Sequence, residues 1–196
     1  MRVLIACEES QEVCKAFREL GHEAFSCDIL DCSGGHPEWH IKDDVLKHLN
    51  DGWDMMIAHP PCTDLAVSGA RHFKEKIANG SQQKSIDFFM ALINANIPKI
   101  AVENPQPHKW ATELIGHYDI KVQPWWFGDG YTKSICLWLK NLQKLTETNN
   151  VYDYMMTLPV KERERIYHLG GGKSKERSKT YIGIAKAISE QWGNIL

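Results

Sequence analysis

The sequence predicts an α/β fold in which helices cover both faces of a mostly parallel, twisted β-sheet. Short apolar runs of strand type alternate along the chain with segments in which apolar residues recur at helical spacing. Several of these runs stop abruptly at polar or turn-forming residues. Strands that alternate with helices build parallel β-α-β units. The length of 196 residues fits one domain, residues 1–196, with a single sizeable core.

The N-terminal region contains the first β-α-β unit. Residues 3–6 form an apolar run typical of a buried strand, and residues 10–20 carry apolar side chains at helical spacing. Gly21 suits the end of that helix, and residues 23–27 return as a strand. The unit therefore ends with an acidic residue, Asp28, at the end of its second strand.

The same alternation continues through the middle of the chain. Apolar patterning predicts a helix, a strand, a second helix and a second strand, in that order, at residues 45–49, 53–58, 81–94 and 97–102. A proline closely follows both strands, in His59-Pro60-Pro61-Cys62 and in Glu103-Asn104-Pro105. Both strands are therefore expected to end in polar loops.

The C-terminal part continues the pattern less regularly. Residues 120–123 and 134–139 read as two strands, an antiparallel pair at the edge of the sheet. A helix that a proline begins is expected at residues 159–167, and an amphipathic helix at residues 182–192. The triple glycine at residues 170–172 predicts a flexible break between these helices.

The composition is that of an ordinary globular protein and argues against several classes. An apolar fraction of 43% and a formal charge of −2 give no overall attraction to nucleic acid or membranes. The N-terminus holds one arginine and a short apolar run, too brief for a signal peptide, and no segment is long enough to span a bilayer. Six cysteines without an export signal are typical of reduced thiols. We therefore expect a cytoplasmic protein.

The loops that follow the parallel strands carry the chemically active side chains. Ligands of such folds bind beyond the carboxyl ends of the strands, so the loops after residues 6, 27, 58 and 102 should line one cleft. These loops bring together a thiol, a hydroxyl and several carboxyl groups, from Glu8, Ser10, Asp28, Cys62 and Glu103.

Two short motifs in these loops resemble those of a known enzyme family. Pro60-Pro61-Cys62 is similar to the Pro-Pro-Cys motif of the cytosine-C5 methyltransferases, and Glu103-Asn104-Pro105 is similar to their Glu-Asn-Val motif. Both stand in the family's order, each at the end of a predicted strand and with a helix between them. The resemblance covers most of the chain. It implies the Rossmann-like class I methyltransferase fold, S-adenosylmethionine as cofactor, and cytosine in DNA as substrate.

The resemblance implies Cys62 as nucleophile and Glu103 as acid. Carbon 5 of cytosine is too weak a nucleophile to attack a methyl sulfonium, but thiolate addition to carbon 6 makes it enamine-like, and a carboxyl group at N3 stabilises the ring charge. Pro60 is expected in the cofactor pocket, with Pro61 and Asn104 beside the base. The alternatives are a buried, inert cysteine and a glutamate that caps the helix starting near residue 107.

The cofactor half resembles the family less closely. Where the family has a glycine-rich turn, this chain has Glu8 and Ser10, and Ser10 is either a ligand contact at a helix N-terminus or only a helix cap. Asp28 matches the acidic residue that binds ribose hydroxyls, the alternative being a solvated turn aspartate. Asp44 resembles the aspartate that binds the adenine amino group, or it merely starts the helix at Val45.

Two further family motifs are weak in this chain. The strand whose arginines help to hold the target base has no counterpart, since residues 123–127 contain no arginine. Trp126 in this segment would stack on a flipped base or belong to the core. Residues 178–194 resemble the motif that completes the cofactor pocket, with Gly183 and Asn194 fitting loosely, but an amphipathic packing helix explains them equally well.

The region available for reading DNA is short. Only about 40 residues separate Leu139 from Lys179, where sequence-specific family members insert a long recognition region. The flexible segment 161–179 holds seven lysines and arginines against three glutamates, so Lys173 and Arg177 are candidate phosphate contacts, the alternative being a solvated charged loop. Such compact forms resemble phage and prophage proteins. Low sequence specificity, or a free pyrimidine nucleotide as substrate, would suit this size.

Two other motifs have competing interpretations. Four residues in the turn-rich segment have spacings that zinc can use: Cys27, Cys32, His36 and His40. Cys27 lies in a predicted strand, so we assign no metal site. The tripeptide 172–174 ends like a phosphate-binding P-loop, but Tyr167 stands where its first glycine belongs.

The sequence thus predicts an S-adenosylmethionine-dependent methyltransferase that acts on carbon 5 of cytosine, with DNA as partner and low sequence specificity. The missing glycines and arginines favour a second hypothesis, a protein that keeps the fold and the affinity for nucleic acid without turnover.

Overall fold

A twisted sheet of seven strands organises the part of the chain that the computed structural model describes, residues 1–67, 72–169 and 173–194. The strands are β1 (Arg2–Ala6), β2 (Glu23–Asp28), β3 (His40–Lys42), β4 (Met55–Ala58), β5 (Lys99–Asn104), β6 (Ile120–Val122) and β7 (Ile135–Lys140). The helices are α1 (Glu12–Glu19), α2 (Phe73–Ala78), α3 (Ser81–Ile93), α4 (Lys109–Ile115), α5 (Tyr152–Thr157), α6 (Val160–Arg163), α7 (Arg165–His168), α8 (Ser174–Ser178) and α9 (Ile182–Gly193).

The strand order is β3-β2-β1-β4-β5-β7-β6. The first five strands in this order are parallel, and β7 runs antiparallel to both β5 and β6. The predicted α/β fold and the antiparallel pair are therefore confirmed. Because β7 inserts between β5 and β6, the start of β7 lies at the same edge of the sheet as the end of β5.

Two apolar layers enclose the sheet. On one face, α1 and α9 contact each other and bury Phe17 and Trp192 completely. On the other face, α3 and α4 pack over the sheet, with Phe89 at full burial. Burial of an aromatic side chain of this size contributes about 1.5–3 kcal/mol, so these layers hold the strand ends in fixed positions.

The start of α1 differs from the predicted helix. The helix begins at Glu12, and its N-cap is Gln11, a residue with φ of 59° whose side chain makes no capping bond. Ser10 is therefore not the helix cap. The carboxylate of Glu8 takes that function, because it accepts hydrogen bonds from the Val13 and Cys14 amides at 2.7 and 3.2 Å.

Several other elements differ in extent from the predictions. The predicted helix at residues 45–49 is one 3₁₀ turn, Val45–Lys47, and the predicted helix at residues 159–167 is two short helices, α6 and α7. The sequence did not predict the strand β3 or the helix α2. The triple glycine at residues 170–172, for which a flexible break is predicted, lies outside the described residues.

In the described ranges, no helix combines the length and the apolar character that crossing a bilayer requires.

Candidate active site

The carboxyl ends of β4 and β5 bring the two family-like motifs together. The strands are neighbours, with Ala58 opposite Val102, so the His59-Pro60-Pro61-Cys62 loop leaves the sheet beside Glu103. The His59 amide donates a hydrogen bond to the Ala6 carbonyl at 2.9 Å, which also ties this loop to the end of β1. Three adjacent strands therefore fix the start of the thiol-bearing loop.

Glu103 lies within β5, not in the loop that the sequence predicts, because Glu103 and Asn104 both pair with β7. Its Oε2 accepts a hydrogen bond from His59 Nδ1 at 3.1 Å. Burial acts to raise the pKa of Glu103, but the His59 hydrogen bond and the charges of Lys133 and His59 outweigh it, so this pKa is lowered. Within the described residues, Oε1 is buried and has no hydrogen-bond partner.

Cys62 begins a tight turn in which its carbonyl accepts hydrogen bonds from the Leu65 and Ala66 amides. Burial is the main cause that raises the pKa of the thiol, and the negative charge of Glu103 raises it further. The positive charges of Lys133 and Arg177 act in the opposite direction. The thiol and the carboxylate therefore belong to one electrostatic environment at the edge of the sheet.

Lys133 is a component of this environment that the sequence analysis did not identify. It precedes β7, and its amide donates to Gln123 Oε1 at 3.0 Å. Its ammonium donates to the Arg177 carbonyl at 3.1 Å and lies 5.9 Å from the Tyr181 ring centroid. The only available signal was the antiparallel return of β7, which carries the preceding loop back to the end of β5.

The other predicted substrate contacts differ in their surroundings. Asn104 is fully buried, and neither its Oδ1 nor its Nδ2 has a partner within the described ranges. A buried amide with four unused bonding positions is costly unless a ligand satisfies it. Pro60 is buried and Pro61 is exposed. Helix α4 is capped by His108, so the alternative role of Glu103 as a helix cap is wrong.

The predicted nucleoside contacts gather around the end of β1. Cys7 adopts φ of 59°, a conformation that glycine normally supplies, and its amide donates to the Cys27 carbonyl at 2.7 Å. Burial is the main cause that raises the pKa of Cys7, and the charges of Asp28 and Asp44 add to it. The two aspartates therefore flank a tight turn, although the family's glycines are absent.

Each aspartate also has a local role. Asp28 accepts a hydrogen bond from the Leu30 amide at 2.9 Å, and Asp44 caps the 3₁₀ turn through the Leu46 amide at 3.0 Å. Both carboxylates keep acceptor capacity, since an ionised carboxylate has two oxygens. Their chemistry fits the hydroxyl and amino donors of a nucleoside. The structure therefore contains suitable residues for the nucleoside half of S-adenosylmethionine.

The residues predicted to contact the methionine half of S-adenosylmethionine are less accessible. Ser10 is almost fully buried, and Gly34 from the loop after β2 lies against it. A Cβ built on Gly34 would be 2.6 Å from the Ser10 carbonyl oxygen and 2.5 Å from the Gln11 Cβ. The Glu8 carboxylate is fully engaged with α1, so its contact with a cofactor stays a prediction, as does that of Ser10.

The predicted nucleic-acid contacts lie on the C-terminal side. Trp126 packs against the hydrophobic core, as the core interpretation expects, and its role in stacking stays a prediction. Lys173 forms an ion pair with Glu176 at 3.6 Å, and both side chains are exposed. Arg177 is exposed and lies close enough to influence Cys62.

The remaining motifs have structural partners. His36 stacks on Trp39, and His40 bonds to Ser26 Oγ at 2.8 Å and to the Leu30 carbonyl at 2.9 Å. Among the described residues no group of three or more His, Cys, Asp or Glu side chains is arranged to hold a metal. The Gly183 amide donates to Asp129 Oδ2 at 3.1 Å, which anchors the start of α9.

The strand order, with β7 antiparallel between β5 and β6, is that of the Rossmann-like class I methyltransferase fold. The structure is similar to that of the Entamoeba histolytica methyltransferase EhMeth, with a TM-score of 0.52 and 14% identity over 76% of this chain and 57% of that one. Two further similar structures have TM-scores below one half. A candidate DNA modification methyltransferase encoded within an E. coli prophage gives 0.46, with 15% identity over 71% of this chain and 46% of that one. An rRNA methylase from Escherichia coli gives 0.38, with 19% identity over 71% of this chain and 56% of that one.

The chain spans about half the length of these three structures. No protein-family model matches the sequence, and neither does any curated protein. At these identities the similarity establishes the fold alone.

Proposed function

We propose that the protein transfers a methyl group from S-adenosylmethionine to carbon 5 of cytosine in DNA, with low sequence specificity. The observation that carries this proposal is the position of the Cys62 loop and Glu103 at the carboxyl ends of the neighbouring strands β4 and β5, with Glu103 Oε1 buried and without a partner in the described residues. A nucleophile beside an unused carboxyl oxygen suits a reaction in which a pyrimidine ring gains a bond at one atom and a proton at another.

The chain's own residues have separate tasks in this reaction. The Cys62 thiolate adds to carbon 6, and the displaced ring electrons make carbon 5 nucleophilic. Glu103 takes up a proton from solvent, against the His59 bond and the charges that lower its pKa, and passes it from Oε1 to N3, while Oε2 stays hydrogen-bonded to His59. After methylation, carbon 5 loses its proton to a solvent water molecule, the Cys62 thiolate is eliminated from carbon 6, and N3 returns its proton to Glu103. The ring and the thiolate are thereby restored.

Bound S-adenosylmethionine supplies an electrophilic methyl sulfonium. Asp28 and Asp44 are the residues that would hold its ribose hydroxyls and adenine amino group, since both carboxylates lie near the left-handed turn at Cys7. Asn104 would bond to the base edge through its unsatisfied amide. The charges of Lys133 and Arg177 offset part of the rise that burial and the Glu103 charge cause in the pKa of Cys62.

The test uses purified protein, labelled S-adenosylmethionine and three acceptors: duplex DNA, single-stranded DNA and deoxycytidine monophosphate. We expect 5-methylcytosine in a DNA acceptor, with loss of incorporation in Cys62→Ala and retention in Cys32→Ala. An oligonucleotide containing 5-fluorocytosine should trap Cys62 covalently, because fluorine cannot leave carbon 5 as a proton does. Incorporation only into the nucleotide would replace DNA as the substrate, and incorporation that survives Cys62→Ala would refute the mechanism.

A second function is a nucleic-acid-binding protein without turnover. The raised pKa of Cys62 and the engagement of Glu8 with α1 favour it, because both reduce readiness for catalysis. DNA binding in the absence of any methyl incorporation would support this function.

A further inference from the structure

An exposed groove lies between the loop before β7 and the helices α5 to α7. Its volume is about 280 Å³, and its walls include Trp125, Thr132, Tyr152, Met156, Arg163 and Tyr167. Tyr152 and Tyr167 expose 44% and 62% of their surface, and Met156 exposes 47%. Several exposed apolar side chains gathered in one hollow form a patch of the kind that marks ligand-binding grooves. We call this hollow the tyrosine groove.

Two of the aromatic rings that line the groove, Tyr152 and Trp125, are connected to the hydrophobic core through ring contacts. Tyr152 packs edge-on against Trp125 at 5.0 Å between ring centroids, and Trp125 packs edge-on against Trp126 at 6.0 Å. Trp126 in turn contacts the hydrophobic core. The Tyr152 and Trp125 rings are therefore fixed relative to the sheet, and a ligand that stacks on Tyr152 costs little additional freedom of that ring.

Positive charge near the groove comes from Arg163 in its wall and from the basic segment that begins there. The segment 161–179, which begins at the groove, has seven lysines and arginines against three glutamates in a chain whose net charge is −2. One glutamate, Glu164, lines the groove together with Arg163. The Arg163 guanidinium lies 3.4 Å from the Met156 carbonyl and 3.5 Å from its sulfur, which holds this positive charge at the wall.

The groove adjoins the loop that carries Lys133. The Thr132 amide donates to the Arg163 carbonyl at 2.8 Å, which ties this loop to the groove wall. The next residue, Lys133, is a cation whose charge acts to lower the pKa of Cys62 and of Glu103. The groove and the electrostatic environment of the thiol therefore share one short loop.

We propose that the tyrosine groove binds single-stranded DNA, with bases stacked on Tyr152 and Tyr167 and a phosphate on Arg163, next to the thiol site. This assignment rests on the proposed function for the choice of DNA and deepens it by naming the strand state. Stacking rings with interspersed cations hold a single strand without reading its sequence. Bases of a duplex are already stacked on each other and cannot use these rings.

The experiment measures binding of the protein, residues 1–196, to a labelled oligothymidine by fluorescence anisotropy, without S-adenosylmethionine. The oligonucleotide contains no cytosine, so the outcome does not depend on methyl transfer. Tyr167→Ala should weaken binding about 5- to 150-fold, the range for loss of one stacked base. Arg163→Gln should weaken binding and reduce the slope of log affinity against log salt by about 0.7.

Tyr154→Ala is the matched control, because Tyr154 belongs to the same helix as Tyr152 and exposes 61% of its surface but does not line the groove. It should bind like the unmodified protein, and thermal melting checks that all variants are folded. Unchanged binding in Tyr167→Ala, equal loss in Tyr154→Ala, or equally tight binding of a duplex would overturn the assignment. Tighter binding of an oligouridine would overturn the choice of DNA.

The two experiments distinguish failure of the groove proposal from failure of the methyltransferase proposal. Methylation that depends on Cys62, combined with no effect of Tyr167→Ala on strand binding, would refute the groove proposal and support the methyltransferase proposal. Strand binding that depends on Tyr167, without methyl incorporation, would keep the groove and remove the enzyme.

Discussion

His59 Nδ1 lies 3.1 Å from Glu103 Oε2, so a single hydrogen bond joins the loop after β4 to the end of β5. Both side chains are largely buried, with 9% and 15% of their surface exposed. The bond occupies one carboxylate oxygen and leaves the other, Oε1, without a partner in the described part of the chain. His59 therefore fixes the direction in which Glu103 can act.

Replacing this histidine should change the titration of Glu103. In His59→Asn the charge and the ring hydrogen bond that lower the pKa of Glu103 are lost, while burial, which raises it, remains. We expect the pKa of Glu103 to rise above its value in the unmodified protein. Carboxyl ¹³C NMR during a pH titration measures this value.

The matched control is His48→Asn, because His48 pairs with Asp43 and Asp51 and not with Glu103. The lowered pKa of Glu103 contributes stability that is present above its unfolded pKa and is lost as the pH falls through the folded value. His59→Asn should therefore lose stability at neutral pH and little at pH 3. An unchanged pKa of Glu103 would contradict the role assigned to His59.

The reactivity of Cys62 should respond in opposite directions to two nearby charges. Glu103→Gln removes a charge that raises the pKa of the thiol, whereas Lys133→Gln removes one that lowers it. Alkylation of Cys62 by iodoacetamide near pH 7 should be about two- to tenfold faster in Glu103→Gln and slower by a similar factor in Lys133→Gln. Peptide mass spectrometry separates Cys62 from the other cysteines.

A methylation assay of Glu103→Gln gives the complementary measurement. If Glu103 is the acid, this variant should have a more reactive thiol and yet no methyl transfer. Lys121→Gln serves as control, because the charge of Lys121 acts on Cys136 and not on Cys62. Equal alkylation rates in all variants would show that Cys62, Glu103 and Lys133 do not share one environment.

Much of the sheet could be predicted, because its central strands are continuous apolar runs. Residues 3–6 and 53–58 correspond closely to β1 and β4, whose described residues are almost all buried. The edge strand β3 was missed, since His40–Lys42 has no apolar pattern of its own. The extension of β5 through Glu103 depends on pairing with β7, a contact between distant segments.

The candidate site was predictable only where motif and strand end coincide. Cys62 follows β4 and Glu103 lies near the end of the neighbouring parallel strand β5, and this proximity could be predicted from the sequence. The influence of Lys133 depends on the antiparallel return of β7, which local sequence does not encode. The bonds of Glu8 with α1 depend on two left-handed residues, Cys7 and Gln11, neither of which is the glycine that normally signals this conformation.

The Glu8 carboxylate should stabilise the start of α1. Glu8→Ala leaves the buried Val13 and Cys14 amides without their acceptor, which costs roughly 1–3 kcal/mol. Glu19→Ala at the exposed end of the same helix should change stability by less than about 0.5 kcal/mol. Urea unfolding followed by circular dichroism compares the two, and equal effects would argue against capping by Glu8.

Glu8 should also make stability depend on pH. Burial raises the pKa of Glu8 despite the hydrogen bonds of the α1 amides and the charge of His59. A carboxyl with a raised folded pKa contributes most stability below its unfolded pKa, and this contribution is lost as the pH rises toward the folded value. The stability of the unmodified protein relative to Glu8→Gln should therefore fall between pH 4 and pH 7. A constant difference over this range would contradict the raised pKa.

If Asp28 at the end of β2 contacts the cofactor, its replacement should weaken the binding of S-adenosylmethionine. Asp28 flanks the left-handed turn at Cys7, and its carboxylate retains an oxygen that can accept from ribose hydroxyls. In Asp28→Asn one charged acceptor becomes a neutral amide, while the carbonyl oxygen can still bond to the Leu30 amide. Loss of a hydrogen bond to a charged group costs about 1.5–3 kcal/mol, so affinity for S-adenosylmethionine should fall about 10- to 150-fold.

Isothermal titration calorimetry measures this affinity without requiring turnover. Asp54→Asn is the control, because Asp54 bonds to the Arg2 amide at the opposite, amino-terminal edge of the sheet. If S-adenosylmethionine binds the unmodified protein and Asp54→Asn but binds Asp28→Asn weakly, the nucleoside lies at the predicted edge. Equal affinity in all three proteins would place the cofactor elsewhere, and no binding at millimolar ligand would remove the methyl donor from the proposed reaction.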